Sequence, residues 1–404
     1  MTKYPIYKLG EICETTSGGT PNRKNDAYYG GSIPWVKSGE LGKGVIFDTE
    51  EKITEEAVKE SSAKIFPKGT LLIALYGATI GKLGFLGVPA ATNQAVCGIF
   101  ENEKIDLQFL SYYLFHKRND LIAQGTGGAQ PNISQTILKN LPIPLPPLST
   151  QHQIVSRIES LFAELDKAAE HLRTAQQQLK TYRQAVLNHW LNNEDGKWET
   201  VNLGEVAEIK RGRSKHRPRN DKSLFGGKYP FIQTGEIREA NGGTITTFSQ
   251  TYSEKGLAQS RLWPKGTLCL TIAANIAETA YLGFDACFPD SVVGILAQKD
   301  KLNLEYFNLF IQLIKQEIEN KASATAQKNI NVDFLENLEV SLPPLPEQQR
   351  IVQEIESRLS QAEAAEARIA ESLQKTEALR QSILKKAFSG ELVVSTSSTT
   401  SKGG

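Results

Sequence analysis

The sequence repeats itself, in the same order, with an offset of about 197 residues. Leu145-Pro146-Pro147-Leu148 returns as Leu342-Pro343-Pro344-Leu345, and Gln184-Ala185-Val186-Leu187 returns as Gln381-Ser382-Ile383-Leu384. A period this long exceeds the 20–50 residues of a solenoid unit. The pattern predicts a duplicated domain plus helix, so we expect two similar heads, two similar long helices and a target with two-fold character.

Composition narrows the class of protein. A chain of 404 residues has room for two or three domains with cores of their own. The net charge of +1 requires any affinity for nucleic acid to come from local patches. No apolar run approaches the roughly 20 residues of a membrane helix, and the start lacks the apolar stretch of a secretory signal. We therefore expect a cytoplasmic protein.

Cysteine usage gives the same expectation. The four cysteines lie far apart without a CxxC pair, and their counterparts in the other repeat are not cysteines. A duplicated disulfide or zinc site is therefore not expected, and scattered reduced thiols are. The four are Cys13, Cys97, Cys269 and Cys287.

Each repeat begins with a mixed α/β (α+β) head, residues 1–147 in the first and 196–344 in the second. The apolar runs Thr70–Tyr76 and Thr267–Ile272 are bounded by Gly or polar residues and predict buried strands. Apolar residues at helical spacing then predict an amphipathic helix on each core. They are Leu107, Leu110 and Leu114 in the first head, and Leu304, Phe307 and Ile311 in the second.

Each repeat ends with a long helix, within residues 148–195 and 345–392. The proline-rich stretch before the first cannot be helical, and Thr150 with Gln153 resembles a capping box. Apolar residues then alternate at steps of four and three, which predicts a heptad seam. The seam positions are Ile154, Ile158, Leu161, Leu165, Leu172 and Leu179, and in the second helix Ile351, Ile355, Leu359, Ile369, Leu379 and Ile383.

A seam this narrow needs a partner helix, and the second copy supplies one. We expect the two helices to form an antiparallel coiled coil, and we expect the two halves of the chain to form a pseudo-two-fold internal repeat. Residues 151–191 would span roughly 60 Å and hold the heads apart. The alternative is that these are ordinary core helices of two separate domains.

Polar loops in the heads are the candidate DNA contacts. A basic run in a loop suits phosphate, and arginine also binds guanine in the major groove. The alternative is a solvated basic loop. In the second head the candidates are Lys210, Arg211, Arg213, Lys215, His216, Arg217 and Arg219, with Gln233 and Thr234. In the first head they are Thr20, Asn22, Arg23, Lys24, Tyr28, Tyr29, Lys37 and Ser38. The loops differ more than their framework, which predicts one scaffold reading two sequences.

The common sequence motifs of enzymes are missing or incomplete in this sequence. The stretch Gly77–Leu83 hints at a phosphate loop, but it has three residues between its glycines and Leu83 where Ser or Thr would hold Mg²⁺. HExxH, GxSxG and GxGxxG are missing from the sequence, as is the Asp/Asn-Pro-Pro-aromatic motif of amino-group DNA methyltransferases. The sequence therefore predicts a protein that binds and does no chemistry itself.

With these features in place, the chain resembles the specificity subunit of a type I restriction-modification system. The resemblance extends to about residue 392. It rests on the tandem heads, the Leu-Pro-Pro-Leu hinges and the helix starts Gln151–Val155 and Gln348–Val352. The ends Gln184–Leu187 and Gln381–Leu392 add to it. Residues 393–404 are rich in Ser, Thr and Gly, are expected to be disordered, and lie outside the resemblance.

The resemblance implies a role. Each head would be a target-recognition domain for one half of an asymmetric, bipartite DNA site with an unspecified spacer. The helices would set the spacer and dock two methyltransferase subunits, and restriction/motor subunits would join the complex. S-adenosylmethionine, ATP and Mg²⁺ would belong to those partners, leaving this chain without a cofactor or metal. The alternatives are a non-specific DNA-binding or coiled-coil adaptor protein, and an enzyme with an unrecognised site.

Overall fold

A computed structural model describes residues 2–125, 132–193, 196–215, 218, 220–273, 275–323 and 329–392. The chain divides into two compact units. One contains Met1–Leu172 together with Ala370–Gly404, and the other contains Arg173–Ile369. Each unit therefore combines one head with part of both long helices. The expected disordered tail, residues 393–404, lies outside the described residues.

The first head is a mixed α/β domain built on a five-stranded sheet. Its strand order is β2-β10-β7-β8-β4, beside a four-stranded sheet β5-β3-β9-β6 and the pair β1-β11. The strands are β1 Ile6–Lys8, β2 Thr15–Ser17, β3 Tyr29–Val36, β4 Gly44–Ile46, β5 Lys52–Ile53, β6 Ile65–Phe66, β7 Leu71–Ala74, β8 Leu83–Leu86, β9 Ala90–Thr92, β10 Val96–Ile99 and β11 Pro142–Pro144. The helices are α1 Leu9–Ile12, α2 Glu55–Lys59, α3 Leu107–His116, α4 Arg118–Gln124 and α5 Gln135–Lys139, followed by the long helix α6 Leu148–Leu191.

The second head repeats the five-stranded sheet and the strand pair, but among its described residues the other sheet has two strands where the first head has four. Its strands are β12 Glu199–Asn202, β13 Ala207–Arg211, β14 Phe225–Phe231, β15 Thr244–Ile245, β16 Gln250–Tyr252, β17 Leu268–Thr271, β18 Thr279–Leu282, β19 Val292–Ala297 and β20 Glu339–Leu342. The helices are α7 Thr234–Ala240, α8 Glu254–Ala258, α9 Leu304–Ser323 and α10 Val332–Glu336, followed by the long helix α11 Leu345–Ser389. The sheet order β13-β19-β17-β18-β15, with β15 parallel to β18, matches that of the first head, where β4 is parallel to β8. The predicted duplication is confirmed.

The predicted strands and amphipathic helices form the head cores because their apolar residues meet there. β7 is buried along its whole length, as is β17, its counterpart in the repeat. Leu110 and Leu114 of α3, and Phe307 and Ile311 of α9, are also buried. Asp106 caps α3 by accepting hydrogen bonds from two backbone N–H groups of its first turn.

Both long helices complete each core. In the first head, Ile154 and Ile158 from the start of α6 join the core, and so do Leu384 and Phe388 from the end of α11. The Phe388 ring lies edge-on to Phe109, with ring centroids 5.3 Å apart. The second head uses the start of α11 and the end of α6 in the same way, through Ile351, Ile355, Val186, Leu187 and Leu191. The first turns of each helix therefore pack into a head.

Between these ends the helices pair with each other. In the first unit Arg380 of α11 donates a hydrogen bond to Asp166 of α6. In the second unit Arg183 of α6 lies 3.7 Å from Glu363 of α11. Because positions 166 and 363, and positions 183 and 380, are each one repeat apart, the two ion pairs are reciprocal copies of one contact, the pattern of an isologous interface. Low numbers on one helix meet high numbers on the other, so the predicted antiparallel pairing is confirmed.

The seam differs from its prediction near the end of α11. Leu379 is 51% exposed, whereas Thr376 is buried and the Arg380 guanidinium lies 4.8 Å from the centre of the Phe162 ring. The apolar pattern alone placed Leu379 in the seam, but the helix turns Thr376 and Arg380 inward at that level. The remaining predicted seam residues are half-buried: Leu161, Leu165, Leu172, Leu179, Leu359, Ile369 and Ile383.

A buried glutamine fixes the start of α6. The helix begins at Leu148, so Thr150 lies inside its first turn and the predicted capping box is wrong. Instead the Gln151 amide donates to the carbonyl oxygens of Pro146 (2.9 Å) and Lys104 (3.0 Å). Its own oxygen accepts from the backbone N–H of Asp106 at 2.9 Å. The side chain thus ties the helix, the proline hinge and the loop before α3 together.

Gln348 makes the same three bonds in the second repeat. It donates to the carbonyl oxygens of Pro343 (2.8 Å) and Lys301 (2.9 Å) and accepts from the backbone N–H of Asn303 at 2.8 Å. Both glutamines are fully buried. A buried amide is tolerated when its donors and acceptor are satisfied, and each of these groups has a partner.

We expect Gln151→Leu to lower the free energy of unfolding by on the order of 3 kcal/mol, because it keeps the volume but leaves buried backbone groups without partners. Urea unfolding followed by circular dichroism measures the change. The matched control is Gln153→Leu, two residues along the same helix and exposed. Equal destabilisation by the two substitutions would contradict this role of Gln151.

Candidate nucleic-acid interface

The predicted cations of the first head are held by two carboxylates. Lys37 Nζ lies 2.8 Å from Glu51 and 3.2 Å from Glu50, and Arg23 Nη1 lies 2.5 Å from Glu51. Hydrogen bonds from Arg23 and then Lys37 hold the pKa of Glu51 below its usual value. The cluster therefore presents fixed donors and acceptors at neutral pH, and its positive charge is largely balanced.

Arg23 rests on an aromatic platform. Its guanidinium carbon lies 4.7 Å from the ring centres of both Tyr29 and Trp35. Trp35 is buried and donates from Nε1 to the Gly19 carbonyl at 3.1 Å, and the Tyr29 hydroxyl donates to the Pro21 carbonyl at 2.7 Å. Stacking and the ion pair hold the planar guanidinium in one orientation.

The other candidates in the first head differ in accessibility. Asn22 and Lys24 are exposed, and the Asn22 side chain accepts from the Lys24 backbone N–H at 3.1 Å. Thr20 is half-buried and donates to Gln94. Tyr28 is only 8% exposed and its hydroxyl donates to Glu60 at 2.6 Å, so little of its side chain is accessible. Ser38 is half-buried at the start of a short 3₁₀ turn, Ser38–Glu40.

The basic run of the second head begins on an outer strand. Lys210 and Arg211 end β13, Arg213 and Lys215 follow it, and all four are exposed. Lys210 lies 2.5 Å from Glu208, and Arg211 Nε donates to the carbonyl oxygen of Asp290. These four cations therefore lie at the end of β13, which is the edge strand of the five-stranded sheet. His216, Arg217 and Arg219 lie outside the described residues.

A glutamate fixes the loop that carries Lys37 in the first head and Gln233 in the second. Glu40 accepts from the backbone N–H of Lys37 (2.7 Å) and of Glu50 (2.9 Å). Its counterpart Glu236 accepts from the backbone N–H of Gln233 (3.1 Å) and of Ser249 (3.3 Å). These bonds join the turn after β3 or β14 to the segment that precedes β5 or β16, and the two backbone bonds follow the same pattern in both heads.

The environment of Glu236 keeps it ionised. Burial alone would raise its pKa, but hydrogen bonds from the Ser249 side chain and from the backbone outweigh it, so the pKa lies below the usual value. A charged carboxylate accepts stronger hydrogen bonds than a neutral one. The loop is therefore held firmly at neutral pH.

The two heads place different side chains on this shared framework. The position of Lys37 is taken by Gln233, and the position of Glu51 by Gln250. Gln233 Nε2 donates to Gln250 Oε1 at 3.1 Å, where the first head has its ion pair. Thr234 is half-buried as the first residue of α7.

An open cleft adjoins the glutamine pair in the second head. It has a volume of about 690 Å³ and lies beside the stacked rings of Phe231 and Tyr252, whose centroids are 4.1 Å apart. Its polar lining comes from Ser214, Asn220, Lys222, Gln233, Gln250 and Ser291. Sequence reasoning found Lys37 and Gln233 but missed Glu51 and Gln250. The Glu three residues after each of the former marks a loop held by a capping interaction, but no local pattern marks Glu51 or Gln250.

Cys287 packs with the Phe231 and Tyr252 rings that border the cleft, whereas Cys13, Cys97 and Cys269 lie in other cores. All four cysteines are buried, and burial raises the pKa of Cys13, Cys97 and Cys287 to about 11. They are thus poor nucleophiles at neutral pH. Within the described residues, no group of three or more His, Cys, Asp or Glu side chains is arranged to hold a metal ion. The helices of the described part of the chain are each too short or too polar to cross a membrane.

Comparisons with known proteins place these heads in context. A family model, the type I restriction modification DNA specificity domain, matches residues 1–172 and 195–375. The chain is 26% identical to the MjaIX specificity subunit of Methanocaldococcus jannaschii, over 85% of this chain and 84% of that protein. It is 25% identical to the EcoKI specificity subunit of Escherichia coli K12, over 89% and 82% of the two chains.

Solved structures share the fold. The HsdS subunit from Thermoanaerobacter tengcongensis is 22% identical with a TM-score of 0.62, covering 96% of this chain and 97% of that one. A chain from a structure on complex assembly and conformational transition of the type I R-M system is also 22% identical, with a TM-score of 0.80. The alignment covers 97% of this chain and all of the other.

We expect Arg211→Ala with Arg213→Ala to weaken DNA binding and to flatten its salt dependence by roughly two in the log–log slope, since each phosphate contact contributes about 0.9. Fluorescence anisotropy at several salt concentrations measures both. The control, Lys299→Ala with Lys301→Ala, removes equal charge from exposed positions beyond the opposite end of the β13–β19 pair. An unaltered slope in the arginine variant would rule out phosphate contact there.

Proposed function

Because this chain belongs to the family of type I restriction–modification DNA specificity subunits, we propose that each head reads one half of a bipartite, asymmetric DNA site. The spacer between the halves is left unread. The chain supplies sequence specificity, and the chemistry is done by its partners.

The observation that supports this proposal most is that the two heads hold their loops in the same way but place different side chains on them. Glu40 and Glu236 hold the loops in the same way, yet one loop presents Lys37 with Glu51 and the other Gln233 with Gln250. Different donors and acceptors select different base edges in the major groove. Two such heads favour a site whose halves differ in sequence.

The proposed partners are two methyltransferase subunits and restriction/motor subunits. The reciprocal ion pairs show that one helix–helix contact occurs twice, and this repetition supports the binding of two copies of one partner. S-adenosylmethionine, ATP and Mg²⁺ are proposed to bind those partners, and this chain is proposed to be non-catalytic.

Methylation mapping tests the proposal. The chain is assembled with its cognate methyltransferase subunits and given a library of random duplexes, and the methylated bases are sequenced. The expected result is two short sequences at a constant spacing, with the site bound at least about 10³-fold more tightly than random DNA. Methylation without sequence preference would favour a non-specific adaptor, and methylation by the chain alone would favour an enzyme.

We expect the helices to set the spacer. The variant lacks one heptad from each helix, residues 171–177 of α6 and 369–375 of α11. Both deleted segments lie between the two reciprocal ion pairs, so both head cores stay untouched. Seven residues correspond to about 10 Å of helix, so the spacer should shorten by up to about three base pairs. The two half-site sequences should stay the same.

The control replaces exposed residues of the same heptads with alanine and keeps their number. It should leave the mapped site unchanged. If the deletion variant methylates DNA at the original spacing, the helices do not set the distance between the half-sites.

A further inference from the structure

The heads carry one side-chain pair at the same structural position, made of different residues. In the first head Lys37 Nζ meets Glu51 Oε1 at 2.8 Å, and in the second Gln233 Nε2 meets Gln250 Oε1 at 3.1 Å. The first member follows β3 or β14, and the second lies just before β5 or on β16, the strand beside it. Their equivalence follows from Glu40 and Glu236, which bind the adjoining backbone in both heads.

Both pairs remain open to a ligand. The side chains of Lys37 and Glu51 are 28% and 34% exposed, and Gln233 and Gln250 are exposed. A lysine ammonium has three donors and a carboxylate about four acceptor sites, so each can keep its partner while it contacts a base. In the second head the cleft of about 690 Å³ opens directly beside the pair.

A glycine next to each pair gives an independent indication of close approach from outside. Gly39 and Gly235 stand two residues after Lys37 and Gln233, and neither has a positive φ. A Cβ added at either would meet no described protein atom within 4 Å. The fold therefore does not require glycine at a position where glycine weakens a helical turn. A ligand that passes close to the backbone at both places explains it.

The donor and acceptor pattern identifies the base pair that each would read. In a Watson–Crick G·C pair, the guanine O6 acceptor and cytosine N4 donor lie about 3 Å apart in the major groove. Lysine donates to guanine and glutamate accepts from cytosine, so Lys37 with Glu51 complements this pair in one orientation. Glutamine is the side chain that matches adenine, so the amides of Gln233 and Gln250 complement A·T.

We propose that these pairs are specificity-determining residues: Lys37–Glu51 reads a G·C base pair of one half-site, and Gln233–Gln250 reads an A·T base pair of the other. This assignment rests on the proposed function, because it requires that each head contacts a half-site in the major groove. It adds Glu51 and Gln250 to the recognition surface and identifies the position at which the two heads diverge.

The test transplants one pair onto the other head. Lys37→Gln with Glu51→Gln gives the first head the pair of the second, and the complex with methyltransferase subunits is then mapped as above. The expected result is an A·T preference in place of G·C at one position of one half-site, by about 10-fold to 100-fold. The other half-site and the spacer stay the same.

The first exchange variant also loses the Arg23–Glu51 ion pair, which could itself change binding. The reciprocal variant, Gln233→Lys with Gln250→Glu, leaves that ion pair in place. It should convert one A·T position of the other half-site to G·C. The matched control is Lys52→Gln with Asp48→Asn, which changes an exposed ion pair of 3.1 Å on the same head and should leave the site intact.

The glycines supply a second readout. Gly39→Ala and Gly235→Ala should leave thermal stability unchanged or higher, yet weaken DNA binding at least tenfold. Half-sites that stay unaltered in both exchange variants, or glycine variants that bind normally, overturn this assignment while the bipartite site stands. Failure of the unmodified chain to direct methylation to any site overturns the proposed function instead.

Discussion

Neither head can bury its apolar side without both long helices. In the first head the core closes only when Ile154 and Ile158 of α6 and Phe388 of α11 are in place, and the second head has the reciprocal arrangement. Burial of such side chains contributes about 1.5–3 kcal/mol each. The helices are thus shared structural members, and this requirement couples the positions of four helix ends to two head cores.

Two sets of hydrogen bonds, each present in both repeats, stabilise the structure in addition to that packing. Gln151 and Gln348 join each helix start to its head, and Glu40 and Glu236 join the turn after β3 or β14 to the segment before β5 or β16. All four act on backbone groups, which are the same whatever the neighbouring side chains are. The framework is therefore insensitive to which side chains occupy the positions of Lys37 and Glu51, and these positions are free to differ between the heads.

Local periodicity made much of the fold predictable. The offset repeat, the buried strands, the amphipathic helices and the antiparallel helix pair all follow from spacing along the chain. The exact seam does not, because the orientation of Thr376, Leu379 and Arg380 depends on how the partner helix lies against them. A heptad pattern fixes the period and leaves the choice of inward residue to tertiary contacts.

The candidate site was predictable only on one side of each pair. Lys37 and Gln233 belong to conspicuous polar loops, whereas Glu51 and Gln250 lie 14 and 17 residues further along the chain. Strand pairing between β3 and β5, and between β14 and β16, brings them close. No local pattern marks such a partner, since its role arises from the sheet. Tyr28 is the opposite case. It lies in a polar loop and was predicted to contact DNA, but its side chain is largely buried.

The insertion of Phe388 beside Phe109 also has a consequence for synthesis. A ribosome produces Phe109 of the first head 279 residues before Phe388, the residue of α11 that packs against it. At 5–20 residues per second, the delay between these two phenylalanines is on the order of tens of seconds. For that time the nascent head exposes the apolar surface around α3 that Phe388 covers in the folded chain.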